Sequence, residues 1–114
     1  MGYCAHIEMD IRLKDTSKET INKIKRHLKK NGEFTWDAIS HIDPKFIHCD
    51  NDVILSGTYD DKYWETDWKN FLNYIAPYVK DDEIIECIGE DHSLWGFRFK
   101  DNTWQEVDGH IVYD

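Results

Sequence analysis

His6, Glu8 and Asp10, three residues able to do acid–base or ligand chemistry, fall at every second position near the start of the chain. Alternate residues of an extended strand share one face and lie about 6.5–7 Å apart. Three such groups converge on a metal ion only if another element closes the site. His48, Cys49 and Asp50 offer such an element, and Cys4 shares the strand face of His6. The compact Cys/His spacings of zinc modules are missing, so polar residues facing solvent from a half-buried strand are the simpler expectation. A small-ligand or metal-dependent enzyme built on His6, Glu8 and Asp10 is the alternative to a binding function.

Nucleophilic chemistry has less support. Cys4, Cys49 and Cys87 stand outside any catalytic motif, and Cys87, between Glu86 and Ile88, reads as a small apolar strand residue. Ser17, Ser40, Ser56 and Ser93 have no nucleophile elbow around them. The stretch from Gly89 to Ser93 carries Glu90 and Asp91, the wrong charge to cradle phosphate. The expectation is a protein that is not an enzyme and uses neither metal nor cofactor.

A second set of residues points to binding. Asp60, Asp61, Tyr63, Glu65 and Asp67 cluster where a helix is expected to begin, and negative charge there also offsets the helix dipole. Asp81, Asp82 and Glu83 precede a strand, and Glu90 and Asp91 follow it. Aromatic anchors among carboxylates suit a basic partner surface, with charge steering the encounter. Helix capping and turn formation account for each cluster singly. Tyr63, off the apolar stripe of its helix, is expected to be an exposed anchor.

Charge along the chain agrees with that reading. Residues 1–33 have a balance of +3 and residues 34–114 one of −12, together the net −9. Contacts to nucleic-acid phosphates need clustered Lys and Arg, so direct binding of DNA or RNA is disfavoured. A basic protein surface, such as one that ordinarily holds nucleic acid, is the expected partner, although acidic excess also serves plain solubility. Aromatic residues make up 14% of the chain, which argues for a packed core despite a mean hydropathy of −0.71. Three cysteines without regular spacing argue against a disulfide framework and for a reducing compartment. The first residues lack the apolar run of a signal peptide, and no stretch nears the roughly 20 apolar residues of a membrane span. The expected location is the cytoplasm of a bacterial host cell.

The elements that must position these groups are legible in the periodicity. Tyr3, Ala5, Ile7, Met9, Ile11 and Leu13 alternate with polar residues, predicting a strand with one face in the core. Thr16 and Glu19 have capping-box spacing, Ile21, Ile24 and Leu28 form an apolar stripe, and Asn31-Gly32 is expected to stop the helix. Lys18, Lys25, Arg26, Lys29 and Lys30 lie on its polar arc, read as a solvated face. Residues 33–60 read as short strands: one opening at Phe34, one over Lys45–Cys49, and one over Val53–Tyr59 ended by Asp60-Asp61. Trp64, Trp68, Phe71, Leu72 and Ile75 predict a second helix with an aromatic core stripe, stopped at Pro77. A strand over 83–89 and a hairpin, Leu94–Lys100 to Thr103–Tyr113 through Asp101-Asn102, complete the order.

The order β-α-β-β-α-β plus a hairpin predicts one α+β domain over 1–114, a two-layer ferredoxin-like sandwich with its first strand central. The run Gly89, Glu90, Asp91, His92, Ser93, Leu94, Trp95, Gly96, Phe97, Arg98 and Phe99, followed by the hairpin into Val107–Tyr113, resembles the C-terminal end of small acidic ferredoxin-like proteins of phages and mobile elements. The likeness covers the last third by motif and the whole chain by predicted topology. It implies an inhibitor of a bacterial defence effector, of the anti-CRISPR type, acting by nucleic-acid mimicry. Such inhibitors share no catalytic motif, so the resemblance assigns no site residue.

Overall fold

In the computed structural model, which describes residues 3–35 and 37–108, the alternation of the first strand decides the architecture. Along β1 (Cys4–Arg12), Ala5, Ile7, Met9 and Ile11 are buried, whereas Cys4, Glu8, Asp10 and Arg12 are exposed and His6 is half-buried. One face of the strand thus lines the core and the other faces outward. Strand β1 is interior to a six-stranded antiparallel sheet of order β4-β5-β1-β6-β7-β8. The other members are β4 (Lys45–Cys49), β5 (Asp52–Lys62), β6 (Ile84–Gly89), β7 (Leu94–Lys100) and β8 (Thr103–Asp108). The protein is therefore a mixed α+β fold with, among the described residues, three α-helices.

Helix α1 (Lys18–Leu28) delivers Ile21, Ile24 and Leu28 to the core, as the stripe predicts. Its cap differs from the Thr16/Glu19 expectation. Ser17 is the N-cap and accepts from the Thr20 N–H at 3.3 Å. Asp15 holds Ser17 there by accepting from its N–H at 2.9 Å and from the Thr20 hydroxyl at 2.6 Å. The helix starts one residue late, and Glu19 falls one position short of the reciprocal bond of a capping box. Its end also differs. Lys29 is already extended, and Asn31 and Gly32, with φ of 55° and 83°, turn a small ribbon of β2 (Lys29–Lys30) and β3 (Glu33–Phe34). Two successive positive φ values favour a tight hairpin over a helix stop.

The largest departure lies between residues 35 and 62. Where short strands are expected, Asp37–Ile42 forms a helix, α2, that buries Ile39 and Ile42. The expected strand opening at Phe34 is only the second arm of the ribbon, and Trp36 lies outside the described residues. Helix α2 seats on β5 at Gly57, where a Cβ would collide with the Ile42 side chain. Strand β5 continues through Asp60-Asp61 to Lys62, because β1 pairs with it in unbroken register from Arg12↔Ile54 to Cys4↔Lys62. Two carboxylates do not end a strand whose main chain is still answered by a neighbour.

Helix α3 (Glu65–Ile75) buries Trp68, Phe71, Leu72 and Ile75. Trp64, expected in the core stripe, is the N-cap residue and is 53% exposed. Trp68 stands edge-on between Tyr59 and Phe71, with ring centroids 5.5 and 6.0 Å away. Pro77 closes the helix in a 3-10 turn, Ala76–Tyr78. The β7–β8 hairpin turns at Asp101 and Asn102, both with positive φ, as expected, and residues 109–114 lie outside the described residues.

Two stability predictions follow from this packing. Ile7→Asp, which buries an unpaired charge, removes cooperative unfolding, whereas Glu8→Ala on the outward face shifts stability by no more than about 0.5 kcal/mol. Equal loss in both, measured by denaturant titration, would mean that the outward face is covered. Gly57→Ala costs about 1–3 kcal/mol by pushing Ile42 and α2 off the sheet, and pairing it with Ile42→Ala recovers part of that loss if the collision is the cause.

Candidate functional site: an acidic sheet end

The register of β1 brings together groups that lie far apart in sequence. His6 stands opposite Asp60 on β5, and its Nδ1 meets Asp60 Oδ1 at 2.6 Å. Its Nε2 meets Glu8 Oε1 at 3.1 Å. The imidazole, 35% exposed, is held between two carboxylates. The bond to Asp60, then that to Glu8, raises its pKa above the ordinary 6.5 against a smaller opposing effect of burial. With both ring nitrogens engaged, the protonated ring offers no lone pair to act as a base. Asp10, the third member of the row, accepts from the Ser56 hydroxyl at 2.5 Å instead. Among the described residues, no three His, Cys, Asp or Glu side chains form a metal-ligand set.

Around His6 the sheet end is acidic. An open depression of about 510 Å³ is lined by Cys4, His6, Asp60, Asp61, Glu90 and His92, with Ile88 beside them. A second, of about 480 Å³, lies between His41, Asp61, Lys62, Trp64 and Asp67. Asp61 belongs to both and meets His41 Nδ1 at 3.1 Å. Glu65 pairs with Lys69 at 2.9 Å, one turn along α3. Asp91 accepts from the Tyr3 hydroxyl and the Ser93 N–H, which together hold its carboxyl below the usual range. Glu90 accepts from the Cys4 N–H at 3.0 Å, tying the β6–β7 turn to the start of β1.

The nine carboxylates expected to form one binding surface with Tyr63 divide into two groups. Asp60, Asp61, Glu65, Asp67, Glu90 and Asp91 gather at the Cys4 end of β1. Asp81, Asp82 and Glu83 lie at its Arg12 end, where Glu83 accepts from the Arg12 N–H at 2.7 Å. The nine residues of β1 put roughly 27 Å between these ends. Asp82 is paired with Arg98 at 2.7 Å, and Asp81 accepts from the Asp101 N–H at the β7–β8 turn. This second group has local structural work.

Tyr63 is not the exposed anchor expected from its position. Its ring packs edge-on to Trp95, 5.6 Å between centroids, and burial pushes its hydroxyl pKa well up. Burial likewise takes the Tyr59 hydroxyl to about 12, and it raises the pKa of the Cys87 thiol, as expected of a packed cysteine. Trp64 is the exposed ring instead, because the helix begins one residue after it. The large apolar side chains exposed among the described residues are Tyr3, Trp64, Ile88, Leu94 and Ile47, and the first four lie at the acidic end. Ile88 and Leu94 face each other across β6 and β7, and Ile88 also faces His6. The pairing of Asp60 with His6, and the roles of His41 and His92, had no signal in local sequence, since they depend on strand register and on an unexpected helix.

Comparison with family models, curated proteins and solved structures gives no match. No helix among the described residues is long and apolar enough to cross a membrane.

Because the folded-state pKa of His6 is raised, the stability it contributes is fully present below about pH 6.5 and fades as pH rises through the folded value. An NMR titration should therefore place the His6 midpoint above 6.5. Asp60→Asn should lower it more than Glu8→Gln does. A midpoint at or below 6.5 in the unmodified protein would show that neither carboxylate engages the ring in solution.

Proposed function

We propose that this chain is a non-enzymatic acidic binding protein whose Cys4 sheet end engages a basic protein surface that otherwise holds nucleic acid. The observation that carries this reading is the coincidence of exposed Trp64, Ile88 and Leu94 with Asp60, Asp61, Asp67, Glu90 and Asp91 at one end of the sheet. Apolar anchors ringed by charge are the usual anatomy of a protein interface. A depression with carboxylate walls and an apolar side suits the stem and head of a partner's Lys or Arg. Inhibition of a nucleic-acid-handling bacterial defence effector, in the manner of phage and mobile-element inhibitors, is the biological role that fits such mimicry.

Within this reading the fold is ferredoxin-like, with a two-layer core extended by a C-terminal hairpin. The order β4-β5-β1-β6 supports it, since the first strand sits between the third and fourth principal strands. Helices α1 and α3, which precede β4 and β6, both contribute to the core that the buried face of β1 shares. The enzymatic alternative on His6, Glu8 and Asp10 loses support, because His6 is saturated by carboxylates and Asp10 bonds elsewhere.

The test is capture of basic nucleic-acid-binding proteins from a bacterial lysate on immobilised protein, followed by kinetics on the recovered partner. Capture should fall steeply as salt screens the contact. Asp61→Lys with Asp67→Lys should slow association most at low salt. Trp64→Ala should speed dissociation and cost about 1–3 kcal/mol. Affinity and salt dependence unchanged by both variants would exclude this surface.

A further inference from the structure

Away from the acidic end, at the β4 edge of the sheet, a pocket of about 280 Å³ opens between the end of α1, the β2–β3 ribbon and the start of β4. Its body is apolar: Leu28, Phe34, Pro44 and Phe46. Its rim carries Lys25, Lys29 and Lys45. Lys29 Nζ sits 4.4 Å from the Phe34 ring centroid and Lys25 Nζ 5.3 Å from that of Phe46. Cation–π contact keeps these two ammonium groups over the pocket walls instead of free in solvent. Among the described residues, no carboxylate lies within ion-pair distance of any of the three. In a chain of net charge −9 with 23 Asp and Glu, three such lysines around one apolar pocket are a local reversal of sign.

The end of α1 would ordinarily repel an anion through its free carbonyls. Here those of Lys25, His27 and Leu28 are occupied. Thr35 donates its N–H to Leu28 O at 2.8 Å and its hydroxyl to His27 O at 3.1 Å, and the Lys29 N–H caps Lys25 O.

We infer that this pocket binds a small aromatic acid, its ring between Phe34 and Phe46 and its anionic group among Lys25, Lys29 and Lys45. The two phenylalanines supply stacking and edge contacts that favour a flat ring over an aliphatic chain. Lysines supply point charges without the planar fork that selects a bidentate partner, so the anion is set by charge more than by geometry. The volume is below that of drug-sized sites, which limits the ligand to one or two fused rings with one acidic group. This inference is independent of the acidic end and stands or falls apart from it.

The probe is 2-naphthoate, titrated into the full chain and followed by NMR, with 2-naphthalenemethanol, inorganic phosphate and an Asp/Glu peptide as comparisons. Naphthoate should saturate with a Kd of roughly 0.1–3 mM, as its size allows, and shift the ring signals of Phe34 and Phe46 while leaving Trp64 unmoved. The neutral alcohol and phosphate should each bind at least tenfold more weakly. Lys25→Gln with Lys29→Gln, both on the exposed surface, should weaken naphthoate about tenfold while the chain stays folded, as its amide spectrum would show. Naphthoate binding equally well to that variant, no saturation, or tighter binding of the peptide than of naphthoate would each overturn the assignment.

Discussion

The register of β1 is the constraint on which the rest depends. Its partners come from distant parts of the chain, β5 on one side and β6 on the other, and both run antiparallel to it. A slip of one residue would drive His6, Glu8 and Asp10 into the core and bring Ile7, Met9 and Ile11 into water. The cost of burying even one unpaired carboxylate there exceeds what the rest of a small domain can supply. Apolar alternation therefore fixes the pairing, and the pairing in turn places Asp60 on His6 and Glu90 on the Cys4 N–H. The acidic end is a consequence of a core requirement.

That origin explains why the carboxylates are not equivalent. Glu83, Asp81, Glu90 and Asp91 accept main-chain N–H groups at strand ends and turns, where the ladder leaves donors without partners. Asp52 does comparable work between Lys80 and Arg12, 2.8 and 3.6 Å away, and those cations hold its carboxyl below the usual range. In composition these residues look the same as Asp67. Only the fold separates a carboxylate that closes a turn from one that lines an open depression.

Much of the architecture was legible because it rests on local periodicity. The buried face of β1, the stripes of α1 and α3, and the β7–β8 turn at Asp101-Asn102 are all set by residues within a few positions of one another. What escaped depends on contacts across the chain. Asp37–Ile42 is too short for helical periodicity to declare itself, and it is held by Ile42 against Gly57. Trp64 matches the spacing of the α3 stripe, yet the helix starts after it, and Tyr63 is half-buried against Trp95 from a strand some thirty residues on. The exchange of roles between these two adjacent aromatics is a boundary effect of one residue, the scale on which sequence patterns are least sharp.

The uneven charge along the chain takes a spatial form that sequence order only hints at. Lysines of α1 do not form a continuous basic face for a polyanion. Lys25 and Lys29 lie over aromatic rings at the β4 edge, and Lys23 lies over Tyr78, 5.8 Å from its centroid. Cations held this way lend their stems to the surface of the core as well as their charge to the field. The carboxylates, by contrast, concentrate where strands end. At physiological ionic strength the field of each cluster is screened within about 8 Å, so the acidic end and the lysine pocket act as separate surfaces despite the small size of the domain. A basic macromolecule approaching the Cys4 end meets carboxylates and exposed Trp64 before it senses the lysines. A small anion reaching the β4 edge meets the reverse, and one domain can hold both surfaces without either cancelling the other.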